Sequence, residues 1–311
     1  MRLLRLVPDR PNIDFIGKRK IAYAVSILLL LVTLGSLAVQ GLNLGIDFAG
    51  GILIEAKSDH DIDIAAMRQQ LNTANLGAVA LQEFGGPRDI LIRVQQQEGD
   101  AANQAAIQTV RGILGGGWEY RRVELVGPTV GAELLRDGII ATVLAVLAIT
   151  AYVAFRFEWQ FGVAALITTA HDVVVTLGLY TLFGLEFNLT SVAALLTLAG
   201  YSINDTVVVF DRIREMMRRY KQLDLKSVIN EAVNQTLSRT VLTSGSTLLA
   251  ILPLLLFGGS ALFDFTLALA FGILLGTFSS VYVGAALLLH MPAIRGRAAG
   301  TDTAEEAAPR G

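Results

Sequence analysis

The sequence contains no cysteine. That excludes disulfides, thiolate chemistry and cysteine-based zinc or iron–sulfur sites. Its three histidines are scattered along the chain and argue against a histidine-rich metal centre. Charge is also scarce: 17% of the 311 residues are charged and the net charge is -2, so nothing in the balance attracts nucleic acid. In their place stands apolar sequence, 53% of the chain, more than a soluble core of this size needs.

The apolar residues gather into runs long enough to cross a bilayer. Six spans are predicted: Ile21–Ala38, Gly138–Phe155, Trp159–Leu185, Phe187–Phe210, Thr240–Phe257 and Phe265–His290. The first could also be read as a signal peptide, with Ser36 and Ala38 as a small-residue cleavage site. Its length and the five spans that follow favour a retained helix. Basic residues fall on one side of this arrangement. Arg2, Arg5, Arg10, Lys18, Arg19 and Lys20 precede the first span, and Arg156 sits between the second and third. Arg212, Arg214, Arg218, Arg219, Lys221, Lys226 and Arg239 follow the fourth, and Arg295 and Arg297 follow the sixth. The expectation is a multi-pass bacterial inner-membrane protein with both termini in the cytoplasm.

The fold class expected is a polytopic α-helical membrane protein with one small extracytoplasmic α+β domain between its first and second helices. The order in that domain reads βαββαβ, a ferredoxin-like layer. GILIEAK, GAVALQEF, DILIRVQ and WEYRRVELVG alternate as strands, while DIDIAAMRQQLNTA and AANQAAIQTVRGIL carry helical periodicity. The predicted segments are a cytoplasmic stretch 1–20, a first helix 21–40, the extracytoplasmic domain 41–137, helices two to six over 138–293, and a disordered cytoplasmic tail 294–311. No stretch brings together the nucleophile, paired carboxylates or metal spacing of an enzyme.

Polar residues inside the spans are the candidate site, because a carboxylate in hydrocarbon costs several kcal/mol. Asp205 lies about 9 Å inside the cytoplasmic end of the fourth span, with Asn204 beside it and Ser202 near. It reads either as a proton-exchanging group or as a structural hydrogen bond to a neighbouring helix. Arg239, at the start of the fifth span, is its natural partner, or else an ordinary topology anchor. Thr240, Thr243, Ser244 and Thr247 recur at helical spacing and could line a hydrated path or join helices. His171 and Asp172 lie near mid-membrane; neighbours on a helix point about 100° apart, so they need not pair. Gly272, Gly276, Ser280 and Gly284, four apart, predict a close-packing seam. Residues 223–239 read as an amphipathic helix lying along the membrane or a partner. In GLNLGIDFAGGILIE the glycines permit a sharp reversal, and Asp47 is placed to cap a turn.

Four segments in order carry a family resemblance: GIDFAGG (Gly45–Gly51), VGPTVGAEL (Val126–Leu134), GYSINDTVVVFDRIRE (Gly200–Glu215) and NQTLSRTVLTSGSTLL (Asn234–Leu249). Together they resemble the SecF family, the smaller subunits of bacterial SecDF export complexes in the RND-like superfamily, over residues 13–293. The resemblance implies a subunit that pairs with SecD and couples proton flow to late steps of preprotein translocation through SecYEG, after SecA has driven the preprotein in. It also implies YajC and YidC as further partners, membrane lipid as surroundings, and the proton motive force in place of a cofactor. Asp205 and Arg239 occupy the positions to which that family assigns proton conduction. A small-molecule exporter of the same superfamily and a purely structural membrane subunit are the competing readings.

Overall fold

A computed structural model describes residues 11–77, 79–83 and 86–292. Arg2, Arg5, Arg10, the tail 294–311 and its Arg295 and Arg297 lie outside the described residues. Among those described, six helices are long and apolar enough to cross a membrane. In chain order the elements are α1 (Arg19–Gln40), β1 (Asn43–Leu44), α2 (Ile46–Ala49), β2 (Gly51–Ser58), α3 (Ile64–Asn72), β3 (Val79–Glu83), β4 (Asp89–Val94), α4 (Asp100–Leu114) and β5 (Trp118–Val126). There follow α5 (Pro128–Arg156), α6 (Trp159–Phe183), β6 (Glu186–Phe187), α7 (Leu189–Arg219), α8 (Leu225–Phe257) and α9 (Ser260–Ser279). The last span continues through a π-helical turn, Ser280–Gly284, then α10 (Ala285–Leu287) and a 3-10 turn, Leu288–His290.

The spanning helices form a centre and a periphery. In the most apolar stretch of α6, α7 and the last span, 67%, 56% and 67% of residues are buried, against 22%, 6% and 11% in α1, α5 and α8. Small residues make the central contacts close. A Cβ on Gly272 would meet Leu198 at 2.5 Å, one on Gly276 would meet Ser202 at 3.2 Å, and one on Gly284 would meet Thr168 at 3.0 Å. The predicted seam thus packs the last span against α7 and then α6. Gly178 does the same for α1, where an added Cβ would strike Thr33.

The α+β domain is a four-stranded antiparallel sheet in the order β3-β4-β2-β5, as the βαββαβ reading requires. One face, with Ile52, Ile54, Ile90 and Ile92, packs on Ile107 and Val110 of α4 and Leu71 of α3. The domain joins the bundle through a short parallel pairing of β1 with β6.

Three helices run past the predicted span ends. Helix α5 begins at Pro128 rather than Gly138, so residues 128–137 are helix continuous with the second span. Helix α7 continues through the basic run to Arg219. Helix α8 begins at Leu225, where the Asp224 side chain accepts from the Ser227 amide at 3.1 Å. The amphipathic stretch 223–239 is therefore largely the start of α8, with its apolar face turned into the bundle. Its apolar residues Val228, Ile229, Ala232 and Val233 pack on Phe210, Ile213 and Met216 of α7 and on Phe15 and Ile16. The N-terminal segment is tied to the same helix: Asn234 accepts from the Ile13 amide at 2.9 Å, and Asn230 accepts from the Phe15 amide at 2.9 Å.

Candidate functional site

Ser202, Asp205 and Thr206 are three and four residues apart on α7, which places them on one face of the helix. All three are buried. Each reaches a different neighbour. Ser202 donates to Asp172 Oδ2 of α6 at 2.5 Å. Thr206 Oγ1 meets Ser280 Oγ, in the π-helical turn, at 2.8 Å. Asp205 turns to α8, accepting from Ser244 at 3.3 Å and from Thr243 at 3.5 Å.

Two polar clusters result. Around Asp172, which is fully buried, Ser202 and Ser279 both donate to Oδ2, the second at 2.7 Å, and Oδ1 lies 2.9 Å from His171 Nδ1. The adjacent His171 and Asp172 thus pair after all. Their side chains converge across the backbone despite the angle between them. Around Asp205 the contacts are longer, and Ser244 is shared with Thr277 Oγ1 of α9 at 2.7 Å. Hydroxyl-to-oxygen bonds centre on about 2.7–2.8 Å, so the Asp205 bonds are weak ones.

The remaining candidates are spread out. Arg239 is exposed on α8, one turn from Thr243, and makes no ion pair with Asp205; it acts on that carboxylate only at a distance. Asn204 is exposed on the outer side of α7, away from both clusters. Thr247 bonds its own helix at Thr243 O. The sequence reading passed over Thr206 and Ser279. The adjacent Ser279–Ser280 pair, inside an apolar run and next to the glycine seam, was the available signal. Among the described residues no group of histidines and carboxylates is placed to hold a metal.

At the N-terminal end of α7 a second set of contacts fastens the α+β domain to the bundle. The Gly45 amide donates to Phe187 O at 2.8 Å, and Asp47 Oδ2 accepts from the Leu189 amide at 3.0 Å. Asp47 therefore caps the start of α7 rather than a turn of its own. Arg93 of β4 bonds Glu186, whose amide donates to Asp264 of α9 at 3.0 Å. Burial pulls the Arg93 pKa down, with the Asp264 carboxylate working against it. Gly50 and Gly51 allow this close approach: their φ angles are 72° and 132°, and a Cβ on Gly51 would lie 2.9 Å from Val94 O.

Comparison with known proteins decides the family. Residues 107–293 match the family described as protein export membrane protein SecD/SecF, C-terminal, and residues 35–62 match the SecD/SecF GG motif. The chain is 43% identical to the protein translocase subunit SecF of Rickettsia prowazekii over 92% of its own length and 93% of that protein. It is 47% identical to that of Magnetococcus marinus over 95% and 97%. The chain belongs to the SecD/SecF family. A crystal structure of SecDF, a translocon-associated membrane protein from Thermus, superposes with a TM-score of 0.81 at 36% identity, covering 92% of this chain and 39% of that one. SecDF in a super-membrane-facing form gives a TM-score of 0.67 at 37% identity, covering 93% and 39%. The chain thus spans about two fifths of those SecDF chains. The GG motif falls on α2 and the Gly50–Gly51 turn, and the C-terminal match takes in all of α7 and α8.

Proposed function

We infer that this chain is the smaller membrane subunit of a protein-export complex, and that Asp205 exchanges a proton in the coupling step. One observation carries the reading of Asp205: it is 3% exposed, yet held only by hydroxyls at 3.3 and 3.5 Å, with Arg239 one turn away on the same α8. A buried carboxylate bound so loosely can change protonation without dismantling the bundle. Thr243 supports it directly, Ser202 links its helix to the His171–Asp172 pair, and Asn204 faces outward from α7. Moving one charge across 100 mV releases about 2.3 kcal/mol. That can shift a two-state equilibrium by roughly 50-fold.

The shift has a mechanical path. Helix α7, about 46 Å long by its residue count, carries Asp205 at its middle and is capped by Asp47 at its N-terminal end, about 24 Å away. Displacement of α7 against α8 is passed to the extracytoplasmic domain through Asp47, the β1–β6 pairing and the Arg93–Glu186 bond.

The partner is a SecD-type subunit. Helix α5 exposes Ile139, Ile140, Val143, Leu144 and Leu147, a surface suited to lipid. Helix α7 instead exposes Ala193, Thr197, Gly200 and Asn204, small and polar residues suited to another helix. The assignment extends to SecYEG with SecA, to exported preproteins, and to YajC and YidC, and it places both termini in the cytoplasm of a bacterial inner membrane. The test is Asp205→Asn in the assembled complex: co-purification with the partner is retained, and proton-driven stimulation of export is lost. Loss of assembly would mean that Asp205 is structural.

A further inference from the structure

Residues 51–126, the four-stranded sheet with α3 and α4, leave and rejoin the bundle at neighbouring points. Helix α2, just before them, belongs to the bundle. Its Phe48 packs with Tyr180, Phe187 and Val192, and a Cβ on Gly131 of α5 would lie 2.6 Å from Phe48 O. Gly50 alone separates α2 from β2, and Gly127 alone separates β5 from α5. Gly51 pairs with Val126 across the β2–β5 ladder, so the two links lie side by side. Gly50 and Gly51 have φ angles of 72° and 132°, a region that glycine enters freely. Two adjacent links of this kind define one axis about which the sheet can turn, since a hinge needs only a few residues at the ends of elements.

The contacts across this junction are few. Ile46 of α2 meets the open face of the sheet in a small apolar cluster with Leu53, Leu91 and Val126. Toward β3 the sheet stands clear of α2 across a cavity of ≈ 750 Å³. Leu44, Ile46 and Ala49 line it from the bundle, and Val79, Ala80 and Gln95 line it from the sheet. Among the described residues one ion pair joins the sheet to the bundle, Arg93 of β4 with Glu186 of β6. Arg93 pairs with Leu53 of β2, one strand over and two residues along from Gly51, and so stands off the axis. Glu186 lies three residues before α7, and its amide donates to Asp264 of α9 at 3.0 Å. The Arg93 and Glu186 side chains are 19% and 18% exposed. Parting such a pair would leave each charge half out of water, so the two side chains move together.

We propose that Gly50, Gly51 and Gly127 form a hinge, and that the Arg93–Glu186 pair is the arm that turns the sheet about it. Gly127 anchors the axis to α5, whereas Glu186 and Asp264 anchor the arm beside α7 and on α9. When α7 shifts relative to α5, Glu186 draws Arg93 with it and the sheet rotates. The cavity beneath β3 opens or closes with that rotation. The paired glycines of the GG motif are then the pivot. The hinge rests on the proton-coupled reading above and gives the displacement of α7 its output, a rotation of the sheet.

The absence of native cysteine allows the hinge to be locked reversibly in the full chain with its partner in membranes. Ala49→Cys and Ala80→Cys place exposed thiols on the bundle side and the sheet side of the cavity. Bridging them with a short bifunctional methanethiosulfonate is expected to abolish the export added by the proton motive force, and a reductant is expected to restore it. If Asp205→Asn abolishes that stimulation while the bridged complex keeps it, the hinge is wrong and the Asp205 assignment stands. If Asp205→Asn keeps the stimulation and the bridge abolishes it, the assignment of Asp205 is the part that fails. Spin labels on the same two thiols test the arm. The otherwise wild-type chain is expected to give one distance without the proton motive force and a second, shifted one with it. Arg93→Gln is expected to show both distances without it, and Arg93→Lys, which keeps the charge, only the first. A single distance in Arg93→Gln, equal to that of the Arg93 chain, overturns the arm.

Discussion

Asp172 and Asp205 are both buried aspartates on neighbouring core helices, yet serines grip Asp172 at 2.5 and 2.7 Å whereas hydroxyls touch Asp205 at 3.3 and 3.5 Å. Asp172 gathers partners from α6, α7 and α9, while Asp205 draws on α8 alone. A carboxylate whose acceptor sites are filled by short bonds is fixed, and losing it strands the donors around it. One held by long bonds can change charge, or change partners, at small cost. The first is built to hold three helices together. The second suits a group whose protonation moves α7 relative to α8.

The largest effect is expected from removing the tight centre. Asp172→Ala leaves Ser202, Ser279 and His171 without their acceptor, and is expected to destabilise the bundle by about 3 kcal/mol or more. Thermal unfolding in detergent, followed by loss of co-purification with the partner, measures it. A stability near wild type would erase the contrast between the two carboxylates. Next, Gly178→Leu drives a side chain into Thr33 and is expected to cost about 1–3 kcal/mol by parting α1 from α6, read by the same melts. Asp205→Asn is expected to change stability by no more than about 1 kcal/mol, because only two weak bonds are altered. A drop as large as that of Asp172→Ala would show that Asp205, too, is structural. Thr243→Val, which removes the 3.5 Å bond, is expected to shift the melting curve least, by about 0.5 kcal/mol.

Much of this contrast was hidden in the sequence, for identifiable reasons. Asp205 stood out because one carboxylate interrupts an apolar run. The α+β layer was legible because period-two strands such as DILIRVQ alternate with helical stretches bounded by glycine. The pairing of His171 with Asp172 was not legible, since helical geometry separates adjacent side chains. Nor was the grip of Ser279, which depends on three helices meeting next to a π-helical turn. The ends of α7 and α8 were misjudged for another reason: polar residues end an apolar run without ending a helix. Val228, Ile229, Ala232 and Val233 carry α8 onward by burying against α7. The expected partnership of Asp205 with Arg239 depends on a side-chain direction that residue spacing does not specify, and Arg239 points outward.

The loose carboxylate is tested most directly by preprotein export from inverted membrane vesicles in which the complex carries Asp205→Asn, with and without an imposed proton motive force. Export without the proton motive force is expected to match wild type, and the additional export that it drives in wild type is expected to vanish. Stimulation of wild-type size in the Asp205→Asn vesicles would contradict the assignment of Asp205 as the proton-exchanging group.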